Sequence, residues 1–223
     1  MSAIPVIAID GPAASGKGAV AQAVAERLGF HYLDSGAIYR AAAFAITKAG
    51  LAVDRLPEAD IAKIASNMQL SFQNSAIYIS NQNVTDLIRS EECGKNASKI
   101  AVLPKLRQAL LELQHSFRRV PGLVAEGRDM GTVVFPDAGL KIFLTASAEV
   151  RAERRYKQLM AKGINATIAN LLQEVEARDA RDLGRSVAPL RASESTITID
   201  TSALDLTQSI DAVLKLYQPN ASK

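Results

Sequence analysis

The chain has 223 residues, a formal net charge of +3 and 48% hydrophobic residues, a length and composition that suit one core with an inserted or appended lobe. No apolar run approaches the ~20 residues of a membrane span, and Met1 to Pro5 lacks the basic start of a signal peptide, so a soluble, cytoplasmic protein is expected. The single cysteine, Cys93, excludes an internal disulfide and a Cys-rich zinc site, and His31 and His115 stand too far apart in sequence to favour a histidine-based mechanism.

The first strand-length run is Pro5-Val6-Ile7-Ala8-Ile9. It leads into Asp10-Gly11-Pro12-Ala13-Ala14-Ser15-Gly16-Lys17-Gly18-Ala19 and then a helical pattern from Val20 to Leu28. Gly11, four residues, then Gly16-Lys17, between a strand and a helix, is the spacing of a phosphate-cradling loop. The glycines let backbone N–H groups point inward, and the helix presents its positive N-terminus. The residues from Gly11 to Ala19 are therefore the candidate ATP-binding set, with Lys17 reaching the β- and γ-phosphates. Gly18 stands where many such loops carry a magnesium-ligating Ser or Thr, and Ala19 brings no hydroxyl either. Mg²⁺ is expected to be held mainly by nucleotide and water with a carboxylate elsewhere, and no residue is assigned as a direct metal ligand.

Phe30 to Leu33 reads as a further strand, followed by Asp34-Ser35-Gly36-Ala37-Ile38-Tyr39-Arg40. Either Asp34 or Ser35 can cap the helix that runs through Ala41 to Phe44 and stops near Gly50. If Ser35 caps, Tyr39 and Arg40 lie one turn on, a phenol and a guanidinium suited to a monophosphate. For the segment in isolation, a capped helix with a solvated arginine is the safer reading.

Between Leu70 and Val84 the pattern becomes Leu70-Ser71-Phe72-Gln73, a polar turn at Asn74-Ser75, Ala76-Ile77-Tyr78-Ile79, and a second polar turn at Asn81-Gln82-Asn83. That is an antiparallel hairpin signature. Later runs, Gly122 to Ala125, Lys141 to Leu144 and Thr196 to Ile199, alternate with helical patterns. Short, nearly unbroken apolar runs of this kind indicate a parallel sheet covered on both faces. The expected fold is α/β, a P-loop NTPase-type doubly wound parallel sheet of about five strands with an inserted antiparallel β lobe and a helical lid. The expected layout is a core of residues 1–51 and 91–223, a lid at about 151–166 and an inserted acceptor-side lobe at 52–90, all one folding unit.

Two basic clusters follow. Arg151, Arg154 and Arg155 occupy i, i+3 and i+4 positions after the Lys141 strand. Arg178, Arg181, Asp182 and Arg185 share one face if their helix continues to Arg185, which would bring three guanidiniums together. The alternative for both clusters is a solvated charged surface.

The Gly-Lys-Gly loop, the Asp34 to Arg40 segment and Glu126-Gly127-Arg128-Asp129-Met130-Gly131-Thr132, in that order, resemble the bacterial cytidylate kinases. The likeness runs from the first strand to about Thr201 and includes the Val187-Ala188-Pro189-Leu190 segment. It implies transfer of the γ-phosphoryl group of ATP to CMP or dCMP, giving CDP or dCDP and ADP. By the same likeness Ser35, Tyr39, Arg40 and Arg128 surround the acceptor phosphate, Arg107 and Asp129 read cytosine with Ser98 assisting, Arg178 and Asp182 hold the ribose, and Arg185 holds phosphate. The resemblance further implies a mobile lid whose arginines close over the transferring group, Arg154 being the one assigned. Lys17, Arg128, Arg154 and Arg185 form the expected catalytic set.

The base assignment has chemical sense. Cytosine offers an exocyclic amine for a carboxylate and a carbonyl with a ring nitrogen for a guanidinium. For Asp129 alone, a salt bridge to a neighbouring arginine is the competing reading. Glu126, ending its strand, either positions Mg²⁺ through water or is structural. The acceptor is already a phosphate oxyanion, so no general base is needed. The expected partners are these nucleotides, with no nucleic acid and no membrane, and the chain is expected to be a monomer. Rivals are a kinase for UMP or AMP and a nucleotide-regulated RNA-binding protein, the latter disfavoured by the scarcity of aromatic stacking residues.

Overall fold

The computed structural model describes residues 4–73, 76–161 and 163–217. In chain order the elements are β1 (Val6–Asp10), α1 (Lys17–Leu28), β2 (His31–Asp34), α2 (Ser35–Lys48), α3 (Glu58–Ser66), β3 (Leu70–Gln73), β4 (Ala76–Ile79) and β5 (Gln82–Asn83). They continue with α4 (Glu91–Ile100), α5 (Pro104–His115), β6 (Leu123–Gly127), β7 (Leu140–Thr145), α6 (Ala148–Met160), α7 (Ile168–Leu183), β8 (Ile197–Asp200) and α8 (Leu206–Leu216). A π-helical turn, Met130–Val134, follows β6. None of the helices is long and apolar enough to cross a membrane, among the described residues.

The chain forms two compact units. One comprises the residues up to Leu33 and from Phe117 onward, and the other runs from Asp34 to Ser116.

The first unit is built on a five-stranded sheet in the order β2-β6-β1-β7-β8. β1 lies parallel to β6, with Val6 beside Leu123 and Asp10 beside Gly127, and parallel to β7, with Ile9 beside Ile142. β8 joins β7 in parallel, Ile142 beside Ile197. Every residue of β1 and β6 is buried, which accounts for the continuous apolar runs: central parallel strands are covered on both faces. One layer of core forms where Ile7, Ile9, Val124, Ile142 and Leu144 meet Val20 and Val24 of α1 and Ile210 and Val213 of α8. The strand order places the loop after β1 between the segments leaving β6 and β7, at the carboxyl edge where open α/β sheets bind ligands. The expected parallel sheet of five strands is present.

One boundary differs from expectation. α7 stops at Leu183 with Gly184 at its end, so Arg185 lies beyond the helix rather than on its face.

The second unit holds α2 to α5 and a three-stranded antiparallel sheet, β3-β4-β5. Leu70 pairs with Ile79 and Phe72 with Ile77, as the alternating pattern predicts. The first expected turn, Asn74-Ser75, lies outside the described residues. The second is shorter than expected: Ser80 and Asn81 take left-handed φ values of 47° and 65°. Such a two-residue turn returns the chain at once into a strand, so Gln82 and Asn83 pair with Ile79 and Tyr78 instead of extending the turn. Within this unit α2 packs on α4 and α3 on α5.

Candidate active site

In the first unit the phosphate loop is shaped by contacts only glycine permits. A Cβ on Gly11 would stand 2.1 Å from the Leu144 carbonyl oxygen, and Gly16 has φ +90°. Ala14 is also left-handed, φ 57°, a conformation costing roughly 1 kcal/mol for an L-residue. No side chain caps the start of α1. Lys17, which begins that helix, is buried, its Nζ donating to the Pro12 carbonyl at 3.3 Å and lying 3.5 Å from Glu126 Oε2. Glu126 also accepts from the Tyr32 hydroxyl at 3.3 Å. A Cβ on Gly18 would come within 3.2 Å of Glu126 Oε1, so the residue lacking the expected hydroxyl faces a carboxylate.

α6 grips this loop from its carbonyl side. Arg151 Nη1 donates to Ala13 O at 3.3 Å and Arg154 Nη1 to Ser15 O at 3.0 Å. Arg154 also donates to the Thr201 carbonyl at 2.7 Å, and Arg151 pairs with Asp179 of α7. Arg155 bonds Gln158 on its own helix. Of the three arginines singled out in this stretch, two are thus brought to the loop, and their partners Asp179 and Thr201 gave no sequence signal, being 28 and 47 residues away.

After β6 comes the second cluster. Arg128 Nε donates to Asp182 Oδ2 at 2.8 Å, and Arg185 pairs with the other oxygen of that fully buried carboxylate. Burial is the largest influence on Asp182 and pushes its pKa up, but Arg128, Arg185 and Arg178 together hold it below the ordinary carboxylate value. The three guanidiniums are therefore Arg128, Arg178 and Arg185. Arg181, expected among them, is exposed and bonds the Ala177 carbonyl of its own helix. Arg181 lies within α7 one residue before Asp182, about 100° around the helix from that carboxylate, and the third arginine comes instead from the β6 segment. Asp129, next to Arg128, is buried, and its carbonyl accepts from the N–H groups of Val133 and Val134 at 2.9 and 3.1 Å.

One carboxylate escaped sequence reasoning. Asp10, at the end of β1, accepts the N–H groups of Met130 and Gly131, each at 2.8 Å. Burial raises its pKa from 3.8 to about 6, against the pull of those two bonds.

In the second unit Asp34, not Ser35, caps α2, its carboxylate accepting the Ala37 N–H at 2.9 Å. Ser35 is the first helical residue, and its hydroxyl donates to Gln114 Oε1 at 2.8 Å. Tyr39 is buried one turn on. Arg40 Nη1 donates to the carbonyls of Ile88 and Ser90, both at 3.0 Å, and its guanidinium rests against Gly94, where a Cβ would approach to 2.8 Å. Arg107 Nη1 donates to the Ala101 carbonyl at 3.2 Å. Ser98 is buried on α4, its hydroxyl without a hydrogen-bond partner among the described residues. Cys93 is buried, its thiol donating to the Arg40 carbonyl at 3.1 Å, and burial pushes its pKa up.

A parallel sheet with a Gly-x4-Gly-Lys loop at the carboxyl end of β1, braced by arginines from a following helix, places the protein among the P-loop kinases. The family model described as Cytidylate kinase matches residues 7–219. A cytidylate kinase from Polynucleobacter asymbioticus is 56% identical over 218 residues, covering 98% of each chain. One from Nitrosomonas europaea is 51% identical over 214 residues, covering 96% of this chain and 95% of that one. The crystal structure of an uncharacterized protein from Eubacterium ventriosum ATCC 27560 superposes with a TM-score of 0.51 at 14% identity, covering 97% of this chain and 99% of that one, a likeness of fold alone. The chain belongs to the cytidylate kinase family and is a nucleoside monophosphate kinase.

Proposed function

We propose that the protein transfers the γ-phosphoryl group of MgATP to CMP or dCMP, acting as a cytoplasmic monomer without nucleic-acid or membrane partners. The observation that carries the choice of base is Asp129, a buried carboxylate only 4% exposed that directly follows an arginine held in the cluster around Asp182. A carboxylate accepts from the exocyclic amine of cytosine and repels the carbonyl that uracil presents in its place.

In this reading the acceptor phosphate oxygen attacks Pγ in line. A new P–O bond forms as the bond to the β-phosphate oxygen breaks, and ADP leaves with the electron pair. The acceptor oxygen carries no proton at neutral pH, so the side chains position and neutralise rather than accept a proton. Lys17 serves the β- and γ-phosphates, the residues Gly11 to Ala19 cradle them, and Arg128, Arg154 and Arg185 offset the spreading charge. Ser35, Tyr39, Arg40 and Arg128 hold the acceptor phosphate. Arg178 and Asp182 hold the ribose. Arg107 and Ser98 join Asp129 in reading cytosine, and the buried, unpartnered Ser98 hydroxyl supports its part in this.

Mg²⁺ would arrive with the ATP substrate and supply neutralisation of the phosphate charge. Glu126 fits a role through metal-bound water: it lies against Lys17 and against the Gly18 position that lacks a hydroxyl. We further propose that residues 151–166 act as the lid and that 52–90 is the inserted part of a single folding unit.

A coupled assay of ADP formation with CMP, dCMP, UMP and AMP tests the reading. CMP and dCMP are expected to be turned over best, with Asp129→Ala losing the cytidine preference while ATP binding survives. Equal turnover of UMP by the wild type would reject it.

A further inference from the structure

Asp10 has no part in the transfer just described, yet it is deeply committed. It closes β1 beside Gly127, the residue before Arg128, and is 5% exposed. Its two oxygens take two successive backbone N–H groups, those of Met130 and Gly131. These amides open the π-helical turn that follows Arg128 and Asp129. A carboxylate spanning consecutive amides fixes both the place and the pitch of a turn. Together with the Asp129 carbonyl, which receives Val133 and Val134, it pins the turn at its beginning and at its end. Keeping a charge there is costly, since burial is the largest influence on this carboxyl and leaves its pKa raised to about 6 even with both amides donating to it. An apolar strand end would carry no such cost, so the burial has to be offset by what the two bonds hold in place.

From this geometry we infer that Asp10 is a positioning residue for acceptor recognition: it holds Arg128 and Asp129 in the orientation in which one meets the acceptor phosphate and the other the base, without touching either substrate. The inference rests on the acceptor roles proposed above for those two residues.

Asp10→Asn tests it, because the amide keeps the size but offers one acceptor and one donor, leaving one backbone N–H facing an NH2 group. Steady-state kinetics are measured for CMP, UMP and ATP with the wild type, Asp10→Asn and Asp129→Ala. The expected result for Asp10→Asn is a CMP KM raised about tenfold, the size of one lost buried hydrogen bond. The CMP-over-UMP preference falls by a similar factor, and the ATP KM stays within about twofold. If Asp10→Asn does not fold, Asp10→Ser, which keeps an acceptor in a smaller side chain, is read in the same assay. Parallel rises in the CMP and ATP KM with the preference intact indicate a structural role and overturn the inference. If Asp129→Ala abolishes the preference and the Asp10 variants do not lower it, the positioning role alone fails. If Asp129→Ala leaves the preference unchanged, the base-reading assignment fails and this inference goes with it.

Discussion

Arg151 on α6 and Asp179 on α7 meet through two parallel hydrogen bonds of 3.0 and 2.6 Å. The same guanidinium donates to Ala13 of the phosphate loop and to Ala146 just after β7. One buried side chain therefore ties two helices to the loop and to the sheet, and its charge is balanced chiefly by one carboxylate.

Removing that carboxylate leaves the buried guanidinium uncompensated. Asp179→Ala is expected to lower unfolding stability by about 3 kcal/mol, read as a lower urea midpoint with an unchanged m-value. It is also expected to raise the ATP KM, because the Ala13 carbonyl loses its fixed donor. A midpoint equal to that of the wild type would show that the pair contributes nothing measurable.

Gly94 separates acceptor binding from folding. A Cβ at this position meets the end of the Arg40 side chain at 2.8 Å, so Gly94→Ala is expected to displace the guanidinium and little else. Stability should change by less than about 1 kcal/mol, since alanine itself favours the helix. The CMP KM should rise about tenfold, as for loss of a charged hydrogen bond, with the ATP KM unaffected. An unchanged CMP KM would remove Arg40 from the acceptor phosphate.

At Gly11 the obstruction is backbone and cannot swing aside. The 2.1 Å approach to the Leu144 carbonyl means Gly11→Ala must move either the loop or β7. The expected outcome is loss of detectable ATP binding in nucleotide titration and a fall in stability of about 2 kcal/mol or more. Retained ATP affinity would show that the loop geometry is more permissive than this contact allows.

Two aspartates act on acid stability in opposite senses. With its pKa raised from 3.8 to about 6, folded Asp10 binds a proton that the unfolded chain has lost between those values. Its contribution is therefore greatest on the acid side and falls as pH rises through that window, by roughly 3 kcal/mol at most. Asp182, held below 3.8, contributes stability that is present above that value and lost as pH falls through its folded pKa. Urea unfolding from pH 3.5 to 7 checks the sign: the stability of Asp10→Asn relative to wild type should increase between about pH 4 and pH 6. A flat difference would mean that Asp10 titrates at its ordinary value.

The features legible in the residues alone are local ones. Gly11, Gly16 and Lys17 between an apolar run and a helical pattern identify the phosphate loop, because backbone sterics and helix polarity act over a few residues. The unbroken runs of β1 and β6 report strands covered on both faces, and the alternation from Leu70 to Ile79 reports a hairpin. Even there, the choice between Asp34 and Ser35 as cap depended on side-chain geometry.

Which charges meet depends instead on contacts between distant segments. Asp10 finds its amides 120 residues away, and Arg128 finds Asp182 54 residues away. Helical spacing alone pointed to Arg181, but it sits one residue from Asp182 and turns to Ala177 of its own helix, and the path of the chain after β6 puts Arg128 beside Asp182 instead. Periodicity places a residue on a face of its own element, whereas the partner of a buried charge is set by strand order and by where each element stops. That is why the loop was legible from residues and the arginine and aspartate network around it was not.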